Sequence, residues 1–273
     1  WISAAGLSPG RHQAAISLRV PGREAIEVAL PVRVIDVAFP ASTRLHVGGW
    51  DYTNTDDFYG LTPQNVTKLV AYLTNRGVDS PWATSSALPF GSFDASGRMT
   101  APPDTENFDR WLERWPNARR YMVFLDAKDH LGPISTKSAA FPSAVGAWLE
   151  FWVKRAALRG VKPEQLHLLL VDEPHDDAAV ARILPWARSI RSSGTGVRVW
   201  EDPTFQPPQS IPPELVDAVD AICVNRKLGW LIGAPFWQMV REWRGPSRSV
   251  EIYTAVGPTR TMDPYSYYRL QAW

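Results

Sequence analysis

Between residues 26 and 34 apolar and polar positions alternate without a break. Ile26, Val28, Leu30, Val32 and Val34 fall on one side, and Glu27, Ala29, Pro31 and Arg33 on the other. A period of two predicts a half-buried strand. Ile16, Leu18 and Val20 repeat the pattern, and Pro21-Gly22 between the two runs supplies a turn. Residues 14–38 therefore read as β, and a two-stranded piece is not stable by itself. Residues 1–40 are expected to be the end of an upstream β-sandwich, or a flap packed on the main domain.

After Pro40 the rhythm becomes strand, loop, helix, repeated. Seven runs predict strands: RLHVGGW (44–50), a run near GVDSPWAT (77–84), RRYMVFLDA (119–127), LHLLLVDEP (166–174), VRVWEDP (197–203), DAICVNR (220–226) and SVEIYTAV (249–256). Helices are expected between them. In TPQNVTKLVAYLTNRG (62–77), Val66, Leu69, Val70 and Leu73 make one apolar face, Thr62 caps, Pro63 fits the first turn and Gly77 closes. FGSFDASGRMT (90–100) reads as a hairpin around Ser96-Gly97. TENFDRWLERW (105–115) is helical, as is PSAVGAWLEFWVKRAALRG (142–160), with Val145, Trp148, Leu149, Trp152 and Ala156 inward. DDAAVARILPWARSIRSSG (176–194) is expected to bend or break at Pro185. Further helical stretches lie at 233–243 and at DPYSYYRLQAW (263–273).

Val/Leu/Ile-rich strands alternating with helices predict an α/β fold with parallel strands. A doubly wound sheet fits this pattern. A (β/α)8 TIM-type barrel fits better, because polar or aromatic residues collect after most strands: Trp50-Asp51, Trp82, Asp126, Asp172-Glu173, Glu201-Asp202 and Asn225-Arg226. A barrel gathers such strand ends around one opening. With seven strands in hand, residues 41–273 are expected to be a barrel domain truncated before its eighth strand. The chain begins at Trp1 and ends at Trp273 inside an expected helix, the pattern of a piece of a longer protein.

Composition narrows the function. A net charge of +1 over 273 residues, without a block of like charge, argues against a nucleic-acid partner. No apolar run approaches the ~18 residues of a membrane span. One cysteine, Cys223, excludes an internal disulfide framework and a cysteine zinc site. HVGGW lacks the G-x-G-x-x-G spacing of a dinucleotide loop, and no second His lies at ligand spacing from DEPHDD, so neither cofactor nor metal is expected. Thirteen tryptophans stand out; most are expected in the core, with some free to stack on a sugar.

The candidate chemistry sits at Asp172 and Glu173. In mid-strand two neighbours point to opposite faces; past the strand end both can turn toward the mouth, and Pro174 is expected to keep Glu173 extended. The plainer reading is a solvated turn with Asp176 or Asp177 as the next helix's N-cap. Ordinary glycosidases flank the scissile bond with carboxylates about 5 Å apart for retention or ~6.5–9.5 Å for inversion, normally from different strands. Adjacent acids suit substrate-assisted hydrolysis instead. The sugar's 2-acetamido oxygen then attacks the anomeric carbon, Asp172 orients that amide, and Glu173 serves as general acid and then base.

At these residues LLLVDEP resembles the Asp-Glu pair of glycoside hydrolase family 123, the retaining β-N-acetylgalactosaminidases. ALPVRVIDVAFP (29–40) resembles that family's exit from a β-sandwich into a barrel, and DPYSYYRLQAW its late helix, normally followed by a final strand and a C-terminal β-domain. The resemblance implies an exo-acting enzyme with a glycan or glycoconjugate substrate, Asp172 on the acetamido group, Glu173 as acid/base, and a secreted or periplasmic location. Trp50, Trp82 and Trp200 either stack on the sugar or fill the core. Asp126 caps a loop or binds a sugar hydroxyl, and Glu201 is a better hydroxyl ligand than Asp202. Asn225 binds the acetamido carbonyl or closes a turn, and Tyr253 is placed to hold the acetamido oxygen. His46 reads as a satisfied core residue and His175 as an exposed loop residue. Two rivals remain: an ordinary retaining glycosidase with Glu173 as acid/base and Glu251 as nucleophile, and a non-catalytic carbohydrate-binding barrel.

Overall fold

The computed structural model of the chain describes residues 6–36, 46–55, 58–225, 232–245 and 248–254. The chain divides into two compact units, 1–45 and 46–273. In the first, β1 (Gly10–Leu18) and β2 (Ile26–Val34) pair antiparallel in unbroken register, with Ile16 opposite Val28 and Leu18 opposite Ile26. Both strands lie where the alternation puts them. The half-burial it predicts is met at Leu30, Val32 and Val34, between exposed neighbours, but not at Ile16, Leu18, Ile26 and Val28, which are exposed. The expected helix at 263–273, Arg226, and the stretch 37–45 lie outside the described residues.

In the second unit, β3 (Val47–Gly48) pairs parallel with β4 (Val78–Ser80). Only Pro81 separates β4 from β5 (Trp82–Thr84). Proline has no N–H to give a ladder, so one extended path is divided in two; the Pro81 carbonyl still accepts from the Met122 N–H at 3.0 Å. The hairpin β6 (Ser92–Phe93) and β7 (Met99–Ala101) turns at Gly97, whose φ of +86° suits glycine. Then come β8 (Tyr121–Phe124), the small hairpin β9 (His130–Leu131) and β10 (Ile134–Ser135), β11 (Leu166–Leu169), β12 (Arg198–Glu201), β13 (Ala221–Asn225) and β14 (Ser249–Tyr253).

Six of these form one parallel sheet in the order β14-β13-β12-β11-β8-β5. The order follows the chain without reversal. A doubly wound sheet reverses at a switch point, so that arrangement is excluded for these strands. Six helices are described: α1 (Val66–Thr74), α2 (Glu106–Arg114), α3 (Phe141–Ala157), α4 (Asp177–Ser192), α5 (Pro213–Ala218) and α6 (Ala234–Trp243). Two boundaries differ from expectation. α1 starts at Val66, because Asn65 Oδ1 accepts the Thr62 N–H and the Thr62 carbonyl takes the N–H of Asn65 and Val66, making a separate turn first. α4 runs through Pro185 as one helix. Proline removes one helical donor, and the apolar face on both sides of it, Ile183 and Trp186, is fully buried.

The two-residue period sorts the sheet's side chains. Ala83, Val123, Leu168, Leu170, Val199, Ile222 and Val224 join the helices in one core. Trp82, Met122, Leu169, Trp200, Ala221, Cys223 and Tyr253 form a second cluster on the other face, with Tyr52. The helix-side core is held by aromatic anchors. The Trp186 ring meets Phe141 edge-on at 5.0 Å, and its indole N–H donates to the Lys128 carbonyl at 2.8 Å. Trp186→Ala should destabilise the protein by about 3–5 kcal/mol, and Trp186→Phe, which keeps most of the volume but loses the hydrogen bond, by about 1–3 kcal/mol, read from urea unfolding midpoints.

Candidate active site

β11 ends at Leu169, and Asp172 and Glu173 come after it in a bend. Asp172 is exposed, Glu173 half-buried and Pro174 buried. Pro174 does not keep Glu173 extended: Glu173 has φ 47°, in the left-handed region. That conformation is strained for a residue with a Cβ and needs outside support. The support comes from the loop after β12. The Glu173 N–H donates to Asp202 Oδ1 at 2.9 Å, and its carbonyl accepts from Thr204 Oγ1 at 3.2 Å. The Pro174 carbonyl accepts from the Thr204 N–H at 2.9 Å, and His175 Nδ1 lies 2.9 Å from the Glu173 carbonyl. Asp176 then caps α4 by accepting from the Ala179 N–H at 2.8 Å.

The Glu173 side chain is held from another strand. The Tyr253 hydroxyl donates to Glu173 Oε1 at 2.6 Å. Tyr253 lies opposite Asn225 in the β13–β14 register, and the two side chains hydrogen-bond. Beside them Trp50 stacks on Trp82 with ring centroids 5.0 Å apart and 19° between planes. Trp200 stands edge-on to Trp82 at 5.1 Å, and Tyr253 is tilted against Trp50 at 5.7 Å. Of the three indoles, Trp82 and Trp200 are buried and Trp50 is half-buried. Trp50, Trp82, Trp200, Asn225, Tyr253 and Glu173 thus come together.

Two expected ligands are placed apart from that group. Asp126, at φ 51°, is exposed and pairs with Lys128 at 2.6 Å. Glu201 has no exposed surface. It shares the parity of Val199 and lies opposite Ile222, both in the helix-side core, and its Oε1 accepts the Leu170 N–H at 2.9 Å. Asp202, one residue on, is the acid beside the pair. The parity of β12 carries that distinction: Trp200 on the aromatic face puts Glu201 behind the sheet. Asp51 is a further anchor, accepting from the Trp82 N–H at 3.1 Å and from the Thr53 hydroxyl at 2.9 Å. His46 is half-buried and pairs with Asp79 at 2.7 Å.

Burial sets the charge states. Asp172 is exposed at its surface but partly desolvated by its surroundings, which raises its pKa; the Glu173 charge raises it further, and Asp202 pulls it down in part. Burial, with neighbouring carboxylates adding to it, holds Glu201 and Asp202 well above the usual range. Asp51 is pushed up to about 6 by burial, against its hydrogen bonds from Thr53 and Trp82. Burial, followed by the bond to Glu173, raises the Tyr253 hydroxyl. Glu251 goes the other way: burial pushes it up, but the Arg120 guanidinium and the Trp200 indole, 3.0 Å away, bring it below the ordinary value. Among the described residues no group of three or more His, Cys, Asp or Glu is arranged to hold a metal ion. A site of neighbouring acids with some protonated and some charged suits proton transfer beside a developing positive charge.

No family model matches the chain, and no curated protein does. Among solved structures, a family 123 glycoside hydrolase from Clostridium perfringens, described for glycolipid glycan hydrolysis, aligns with a TM-score of 0.60 and 11% identity. The alignment covers 94% of this chain and 51% of that one. A family 5 glycoside hydrolase from Bacteroides vulgatus aligns with a TM-score of 0.40 and 11% identity over 74% of this chain and 48% of that one. The chain spans about half the length of these proteins. The likeness to the Clostridium perfringens enzyme is one of fold: this chain shares its α/β architecture.

Proposed function

We propose that the protein is a retaining, exo-acting glycoside hydrolase that removes terminal β-linked 2-acetamido sugars, N-acetylgalactosamine first among them, by substrate-assisted catalysis. The observation that carries this reading is the pair itself. Asp172 and Glu173 are adjacent in the chain, lie at the C-terminal end of a parallel strand, and Glu173 is tied by Tyr253 to the aromatic face. The six-stranded sheet would then be most of a (β/α)8 barrel, whose active sites lie at that end. The fold likeness to a family 123 enzyme supports the same assignment.

Two steps keep atoms and charge in balance. The 2-acetamido oxygen attacks the anomeric carbon while Glu173 gives its proton to the leaving oxygen. Asp172 as carboxylate accepts the amide N–H and stabilises the oxazolinium by its charge; a proton it takes from the nitrogen it returns as the ring opens. Glu173 then removes a proton from water, which opens the ring with net retention. Trp50, half-buried and stacked on Trp82, offers a ring face to the sugar. Tyr253 bridges the acid and the face where the acetamido group would lie. Glycolipid glycans, the substrate class named for the similar enzyme, are the first natural substrates to try, and a secreted or periplasmic location fits them. Among the described residues no helix is long and apolar enough to cross a membrane.

Glu251 is less suited to be a nucleophile. It is ion-paired with Arg120, next to the start of β8, and bound to the Trp200 indole beneath the aromatic layer.

With a chromogenic β-N-acetylgalactosaminide and the full-length protein, Asp172→Asn should lower kcat by about 10²–10⁴-fold. Glu173→Gln should hurt substrates with poor leaving groups far more than nitrophenyl ones, and Glu251→Gln should leave kcat of the folded fraction within a few fold. Wild-type turnover in the first two variants would remove the acid pair from the mechanism. Glycan binding that survives both changes, with no hydrolysis by the parent, would instead identify a carbohydrate-binding module. A thiazoline analogue of the oxazoline should inhibit competitively; indifference to it rules out the acetamido nucleophile. In the parent, kcat/KM should fall on the acid side with an apparent pKa above the ordinary aspartate value of 3.8, because Asp172 must be charged and burial holds its proton longer.

A further inference from the structure

We propose that Asp202 is the positioning residue of the acidic pair: its buried carboxyl holds the Glu173 backbone and bridges to the Asp172 side chain, so both acids take their aim from the loop after β12. This rests on the acid/base reading above. Asp202 Oδ1 accepts the Glu173 N–H at 2.9 Å, and Thr204 binds the next two carbonyls, with its hydroxyl 3.2 Å from the Glu173 oxygen and its N–H 2.9 Å from that of Pro174. A three-residue segment thus fixes both peptide groups around a residue at φ 47°. A strained backbone persists only where its surroundings over-determine it.

The second oxygen explains the rest. Asp202 has no exposed surface, and its Oδ2 accepts no N–H or O–H. With a proton on that oxygen, Asp202 has a donor to offer the Asp172 side chain, whose pKa it lowers. Two carboxyl groups make a hydrogen bond only with a proton between them. Burial, with the charges of Asp172 and Glu173 added, keeps that proton on Asp202, and the bond favours a charged Asp172. Among the described residues, the titratable groups close enough to interact with Asp202 are Asp172 and Glu173 after β11, Glu201 on β12, Cys223 on β13, Tyr253 on β14 and Tyr52 after β3. None of these six is a cation that would draw the proton off. Because the folded-state pKa is raised, the neutral carboxyl's contribution is fully present below 3.8 and is lost only as pH rises through the raised value.

Asparagine has the shape and hydrogen-bonding pattern of a protonated aspartate, and this makes the test sharp. On the full-length protein with a chromogenic β-N-acetylgalactosaminide, Asp202→Ala should lower kcat about 10²-fold with KM within about threefold, the signature of a misaimed acid. Asp202→Asn, whose amide can still accept the Glu173 N–H and donate a hydrogen bond, should restore kcat to within about fivefold of the parent. A folded but inactive Asp202→Asn protein overturns the proposal even if the alanine variant does not fold. Independently of turnover, a crystal structure of Asp202→Ala should show Glu173 leaving positive φ; an unmoved backbone overturns it. Asp172→Asn and Glu173→Gln measured alongside separate the two ideas. If they turn over like the parent, the acid/base reading fails; if they are impaired while Asp202→Ala is not, only the role of Asp202 fails.

Discussion

The grip of one loop on two peptide groups underlies the site. Without the bonds from Asp202 and Thr204, Glu173 would relax from φ 47° to the extended backbone favoured before proline. Its side chain would then swing away from Tyr253. The strain is stored where parallel strands end, and it is held by β12, the strand hydrogen-bonded beside β11. Neighbouring strands in register supply the holder and the held at fixed spacing, which is why a loop residue can be aimed as firmly as one in a strand.

The sheet beneath has two unlike faces. Behind it the helices bury an apolar core rich in tryptophan. In front, indoles and Tyr253 cover the strands, with the Arg120–Glu251 ion pair below them and the acids beyond the strand ends. Aromatic rings bury large area while their N–H and O–H groups still need partners. Trp200 uses Glu251 and Tyr253 uses Glu173. The aromatic face therefore ties the lower ion pair to the upper acid through side chains packed against each other.

Much of this is legible in the sequence. All seven expected strands are present, because near-continuous Val/Leu/Ile runs leave few alternatives to a parallel sheet covered by helices. The acids, Tyr253 and Trp50 can be placed from strand ends and period. What fails depends on local choices. Glu201 reads as a better ligand than Asp202 by type alone, although strand parity turns it behind the sheet. Pro174 suggests an extended Glu173, and contacts about 30 residues away in the chain override that preference. Asp126 ends a run as the acids do, yet it turns to Lys128 at the surface. Pro185 signals a break, and a well-buried helix face carries α4 through it.

The strand order has a bearing on how the molecule is made. Each strand of the six lies beside the one that precedes it in the chain, so every new β-α step adds to an edge already built. No strand waits for a later one to be inserted between its neighbours. Such a sheet can lengthen from β5 toward β14 during synthesis, with each pairing closing only the loop just emerged. The clamp on Glu173 can close only once the loop after β12 has emerged, since Asp202 and Thr204 leave the ribosome after the residue they hold.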